Sequence, residues 1–213
     1  LMLGCGLINE TATLVHIKAG QYLASHGILP SRGGDPFSAS AADRMWVNPS
    51  WLFDLLIAGV YGLSSWIGVS VFKALLSGAT FWILSRISLP KMPTWWGSIC
   101  GLLALISCHP RLTATPEIIT LLGLSLTLAL LTHWKTTGKT ATLGLLPPLF
   151  LIWGQLDDRV FLGAWLLLLY SVGEFLTQRR QEGAARGKAL LTPVIASLVL
   201  LCINPFPLAW INS

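Results

Sequence analysis

Two carboxylates and a guanidinium occupy consecutive positions at Asp157, Asp158 and Arg159. Paired carboxylates can hold a divalent cation or supply a general base. The same residues also suit a solvated turn in which Asp158 caps a helix starting at Val160. Glu10 precedes His16 on one helical stretch. Glu10 could act as a general base or complement the helix dipole, and His16 could bind a phosphate, shuttle a proton or simply be solvated. Arg111 and Glu117 flank the start of an apolar run. An arginine there suits a phosphate through paired hydrogen bonds, while Glu117 suits the positive end of the helix. Asp35, within Gly33-Gly34-Asp35-Pro36-Phe37-Ser38, is a candidate substrate contact and equally an acceptor of local turn bonds. Lys73 is a charge inside an apolar segment, a functional candidate that can also snorkel toward a polar surface.

The elements that must position these groups are apolar. Hydrophobic residues make up 54% of the 213, charged residues 11%, and the mean hydropathy is +0.68. Soluble domains carry about 25% charged residues, so the composition is that of a polytopic membrane protein. The net charge of +5 is no nucleic-acid signal, because the basic residues collect in alternate loops. One set holds Arg86, Lys91, Lys135, Lys139, Arg179, Arg180, Arg186 and Lys188, whereas the short loops between hold Arg111 and Arg159. The positive-inside rule makes the first set cytoplasmic, at residues 86–93, 132–140 and 177–188. The candidate chemistry then lies on the outer side. Cys5, Cys100, Cys108 and Cys202 show no metal-ligand spacing and read as packing residues.

The expected fold is an all-α polytopic bundle of about seven transmembrane helices. Residues 1–8 end span one. Residues 9–65 form an outer loop with two interfacial helices, near 10–26 and 51–64. Six spans follow over 66–204, as Trp66–Ile87, Thr94–Cys108, Pro116–Leu131, Ala141–Ile152, Val160–Leu176 and Ala189–Ile203. Pro147-Pro148 predicts that the span Ala141–Ile152 kinks, tilts or is shielded by its neighbours. The whole chain reads as one module, 1–213, of a longer protein.

The series of motifs resembles bacterial polytopic proteins related to the GT-C glycosyltransferases. It runs through Glu10-Thr11-Ala12, His16, Gly20, His26-Gly27-Ile28-Leu29-Pro30, Asp35-Pro36-Phe37-Ser38, Trp46-Val47-Asn48 and Trp51-Leu52. Trp153-Gly154-Gln155-Leu156-Asp157, Phe161-Leu162-Gly163 and Asn204-Pro205-Phe206 continue it. The resemblance implies a bacterial inner membrane location with the first loop facing the periplasm. It implies transfer of a sugar from a polyprenyl-phosphate carrier at the outer face. Glu10 would be the catalytic base, His16 and Arg111 would hold the carrier phosphate, and Asp157 or Asp158 would bind a divalent cation or the acceptor. Ala12 stands where the family has a second acid, and Asp157-Asp158-Arg159 where it has His-Gly-Gly. These differences keep a second class open: a non-catalytic membrane subunit packed in a larger complex with other proteins and lipid. A transporter ranks below both, since the spans hold one lysine and no acidic relay.

Overall fold

The computed structural model of the chain describes residues 11–27, 37, 46–87, 93–108, 112–178 and 184–200, and these form helices and connecting turns without a strand. The helices are α1 (Thr11–His26), α2 (Trp51–Arg86), α3 (Thr94–Cys108), α4 (Glu117–Thr137), α5 (Leu146–Leu156), α6 (Val160–Gln178) and α7 (Ala184–Leu200). A 3-10 segment, Thr140–Leu145, leads into α5. The expected end of span one, residues 1–8, lies outside the described residues.

The 36 residues of α2 would extend about 54 Å as one straight helix, well beyond a hydrocarbon core of about 30 Å. It is not straight. Ser65 has φ 51° and ψ −148°, which interrupts the helical backbone between the two segments that the sequence separates at Ser65 and Trp66. The first part carries Asp54 in its first turn, and the second ends at Arg86. The second part, 66–86, is about 31 Å long.

Local chemistry sets the other boundaries. Helix α1 ends at Gly27, whose φ of 92° suits glycine, with its N–H bonded to the Leu23 carbonyl at 2.9 Å. Helix α4 follows Pro116, carries Glu117 in its first turn and stops at left-handed Gly138. The proline pair does not kink a span. Pro147 and Pro148 fall in the first turn of α5, where a missing N–H leaves no hydrogen bond unmade, and the 3-10 segment supplies the rest of the length.

Among the described residues, α2 and α4 are long and apolar enough to cross a membrane. The other apolar helices are shorter. Helix length therefore supports two spans directly, fewer than the seven expected. The 3-10 entry shortens α5, and Pro193 interrupts the regular hydrogen bonding of α7.

The interior is built around α4, α5 and α6, with α7 packed on α5 and α6, and α2 packed on α3, α4 and α5. Helix α1 lies along α2. Trp153 of α5 is at the centre, pressed between Gly123 of α4 and Gly163 of α6, and buried with Phe150, Leu146 and Leu167. A side chain at either glycine would run into the indole. Hydroxyls within these helices bond their own preceding turns: Ser77 to the Lys73 carbonyl, Thr127 to Gly123 and Ser171 to Leu167. This satisfies polar groups inside apolar helices. The outside is also apolar, with Leu63, Ile67, Leu75, Leu103, Trp165 and Leu169 all strongly exposed.

Candidate functional site

A buried carboxylate lies one turn into α2. Asp54 is 1% exposed, and both its oxygens accept hydrogen bonds. Oδ1 is 2.6 Å from His16 Nδ1 on α1, and Oδ2 is 2.7 Å from Asn48 Nδ2 in the turn before α2. Asn48 is itself held, since its Oδ1 accepts the Ser50 N–H at 3.2 Å. Phe53 packs edge-on against the imidazole at 5.7 Å. The close approach of α1 depends on Gly20, because a methyl group there would overlap the Asp54 carbonyl oxygen. The His16 side chain keeps 25% of its surface exposed.

A second cluster occupies the turn between α5 and α6. Asp157 is 2% exposed. Its Oδ2 accepts from the Thr120 hydroxyl, which in turn accepts the Trp153 indole N–H at 3.1 Å. Its Oδ1 accepts the Arg159 backbone N–H at 3.3 Å. Burial pushes the Asp157 carboxyl up to about 6, with Asp158 adding to the rise. The Arg159 side chain turns to Glu117 at the head of α4, 2.6 Å away. Burial pulls the guanidinium down, and Glu117 more than offsets it, so the net shift is upward.

The clusters share one end of the bundle. Trp51 at the start of α2 donates its indole N–H to Gln155 Oε1 near the end of α5, at 3.1 Å. At the opposite end, Lys135 near the C-terminus of α4 meets Glu174 of α6 at 3.2 Å and lies over the Tyr170 ring. Arg86 stacks over Trp82 at the C-terminal end of α2. The Glu117–Arg159 and Lys135–Glu174 pairs show that α4 and α6 run in the same direction. Their anchors on α4 are separated by about 27 Å of helix.

The structure thus brings His16, Asp157 and Asp158 to one end, with His16 in the first cluster and the two aspartates in the second. Lys73 lies elsewhere, buried on the second part of α2, and makes no ion pair among the described residues. Glu10, Asp35 and Arg111 lie outside the described residues. Phe37, from the motif that contains Asp35, packs with Tyr22 and Trp46. No group of three or more His, Cys, Asp and Glu side chains able to hold a metal ion occurs among the described residues.

The sequence alone assigns no role to Asp54, Asn48 or Thr120. The available signal for Asp54 was its setting, a carboxylate inside the apolar run Trp51-Leu52-Phe53-Asp54-Leu55-Leu56. A buried charge in such a run requires a partner. No family model, curated protein or solved structure matches this chain.

Proposed function

We propose that this is a polytopic integral membrane protein of GT-C-like build that transfers a sugar from a polyprenyl-phosphate carrier to a hydroxyl acceptor at the outer membrane face. The observation that carries the proposal is the His16–Asp54 pair, a supported imidazole at the end of the bundle opposite Lys135. The membrane reading is supported by α2 and α4, by the apolar exterior and by the 27 Å spacing, about one hydrocarbon thickness. In this reading the first part of α2 and all of α1 lie at the outer interface. The seven spans and the location in a bacterial inner membrane, with the first loop in the periplasm, belong to the same proposal. So do Arg111 at the carrier phosphate, Glu10 and His16 as the two candidate bases for the acceptor hydroxyl, and Asp35 and Lys73 as further substrate contacts.

The cation role of Asp157 and Asp158 has less support. Both Asp157 oxygens are already engaged, by Thr120 and by the Arg159 N–H. This closed network favours a second reading, a non-catalytic subunit whose polar turn fastens α4, α5 and α6 together. Reconstitution of the full-length protein with a panel of polyprenyl-phosphate sugars and hydroxyl acceptors separates the two. Transfer by wild type is the expected result. An inert wild-type protein across the panel would leave the subunit reading.

A further inference from the structure

We infer that His16, Asp54 and Asn48 form a proton-accepting site for a hydroxyl group delivered at the membrane interface, with His16 Nε2 as the acceptor. The identity of the hydroxyl ligand rests on the glycosyl-transfer reading; the site itself rests on geometry. An ionised carboxylate can only accept hydrogen bonds, so the 2.6 Å contact to Asp54 places the hydrogen on Nδ1. A neutral imidazole then carries its lone pair on Nε2. Among the described residues Nε2 makes no hydrogen bond, and the ring remains partly exposed. Asn48 fixes the other oxygen of Asp54, and Phe53 limits rotation of the ring. Docking of α1 on α2 does not need this arrangement, because Ile17, Leu23 and Gly20 already provide a close apolar contact face. A carboxylate buried to hold an imidazole, with the far nitrogen left available, is a proton-handling arrangement.

Asp54 is the charged group facing His16 from α2, the element α1 packs against. On α1 itself the titratable neighbours are Lys18, Tyr22 and His26. In the proposed step the acceptor O–H bond breaks and its proton passes to Nε2. The oxygen electron pair forms the bond to the anomeric carbon, and the bond from that carbon to the carrier phosphate oxygen breaks. Its electrons leave on the polyprenyl phosphate. The protonated ring then releases its proton to water. His16 is the catalytic residue of this step; Asp54 and Asn48 are positioning residues.

The test uses the full-length protein in lipid nanodiscs with ¹⁵N-labelled histidine. The expected His16 signal is that of the Nδ1-protonated tautomer, and Asp54→Asn is expected to convert it to a mixture of tautomers. Sugar transfer should fall about 10²–10⁴-fold in His16→Ala, and by a similar factor in Asp54→Asn at unchanged thermal unfolding. Asp54→Glu should restore part of the activity. If Asp54→Asn fails to fold, the wild-type tautomer and His16→Ala decide. An Nε2-protonated His16 in wild type, or undiminished transfer by His16→Ala, overturns the inference while leaving glycosyl transfer intact. Absence of transfer in wild type overturns the functional reading and removes the hydroxyl ligand with it.

Discussion

Trp51 donates its indole N–H to Gln155 across 3.1 Å, linking the first turn of α2 to the last turn of α5. Trp51 lies three residues from Asp54, and Gln155 two from Asp157. One side-chain bond therefore ties the imidazole–carboxylate pair to the polar turn between α5 and α6. Elements far apart in sequence contribute to this polar end of the bundle.

Packing around Trp153 gives the most direct stability test. Gly163→Ala would place a methyl group inside the indole, and Gly123→Ala would place one 2.6 Å from its Cδ2 atom. Overpacking of this kind typically costs about 1–3 kcal/mol. Gly59→Ala on α2 meets no atom within 4 Å and should be neutral or stabilising by up to about 1 kcal/mol. Thermal unfolding of the three purified variants in one detergent checks the order. A Gly163→Ala protein as stable as Gly59→Ala would refute the close three-helix contact.

The break at Ser65 predicts a gain. A serine with positive φ and extended ψ is held in a backbone region that glycine enters freely. Ser65→Gly should stabilise the protein by about 1 kcal/mol, the lower end of the cost of such a conformation. Ser65→Val should destabilise it. Ser65 is exposed, so neither change disturbs packing. Equal melting temperatures for the three proteins would show that the helix runs unbroken through this position.

The sign of the Asp157 effect is fixed by its buried carboxyl. The group sits at about 6 in the folded protein and at 3.8 when unperturbed. Between those values the folded state binds the proton and the unfolded state has lost it. Stability contributed by this group is therefore fully present below about pH 4 and falls as pH rises toward 6, by an amount on the order of 3 kcal/mol. Asp157→Asn should flatten that part of the stability–pH curve. A wild-type stability that rises steadily from pH 4 to 6, unchanged by the mutation, would contradict the buried carboxyl.

The sequence was most legible where a local rule acts. Composition and apolar runs give the all-helical character, and a polar Ser64-Ser65 step before Trp66 marks the interruption in α2. Gly27 and Gly138 mark helix ends through left-handed backbone that only glycine adopts readily. Of the outcomes expected at Pro147 and Pro148, the mid-helix kink does not occur, because their effect depends on whether they fall in a first turn or mid-helix, and neighbouring residues do not decide that. The partnerships of the site were the least legible part. His16 meets Asp54 across 38 positions and Thr120 meets Asp157 across 37, and such contacts follow from how helices pack. Gly20, Gly123 and Gly163 make those approaches possible, yet in sequence they look like any other helical glycine.

Orientation is the remaining prediction, and it follows from two independent sets of residues. The basic residues Arg86, Lys135 and Lys139 belong to loops assigned to the cytoplasmic side by the excess of positive charge. Contacts place Lys135 with Glu174 at one end of α4 and α6, and Arg159 with Glu117 at the other. If α4 spans the membrane, the two ends must face opposite compartments, because about 27 Å of apolar helix separates them. Arg159 and Lys135 are both exposed, which makes both sites accessible to a membrane-impermeant thiol reagent. In a background with the four native cysteines replaced by alanine, Arg159→Cys should be labelled from outside intact cells. Lys135→Cys should react only after permeabilisation. Labelling of Lys135→Cys from outside with protection of Arg159→Cys would invert the topology and move the His16–Asp54 site to the cytoplasmic face. Labelling of both in intact cells would show that α4 does not span, and the membrane reading of this helix would fall.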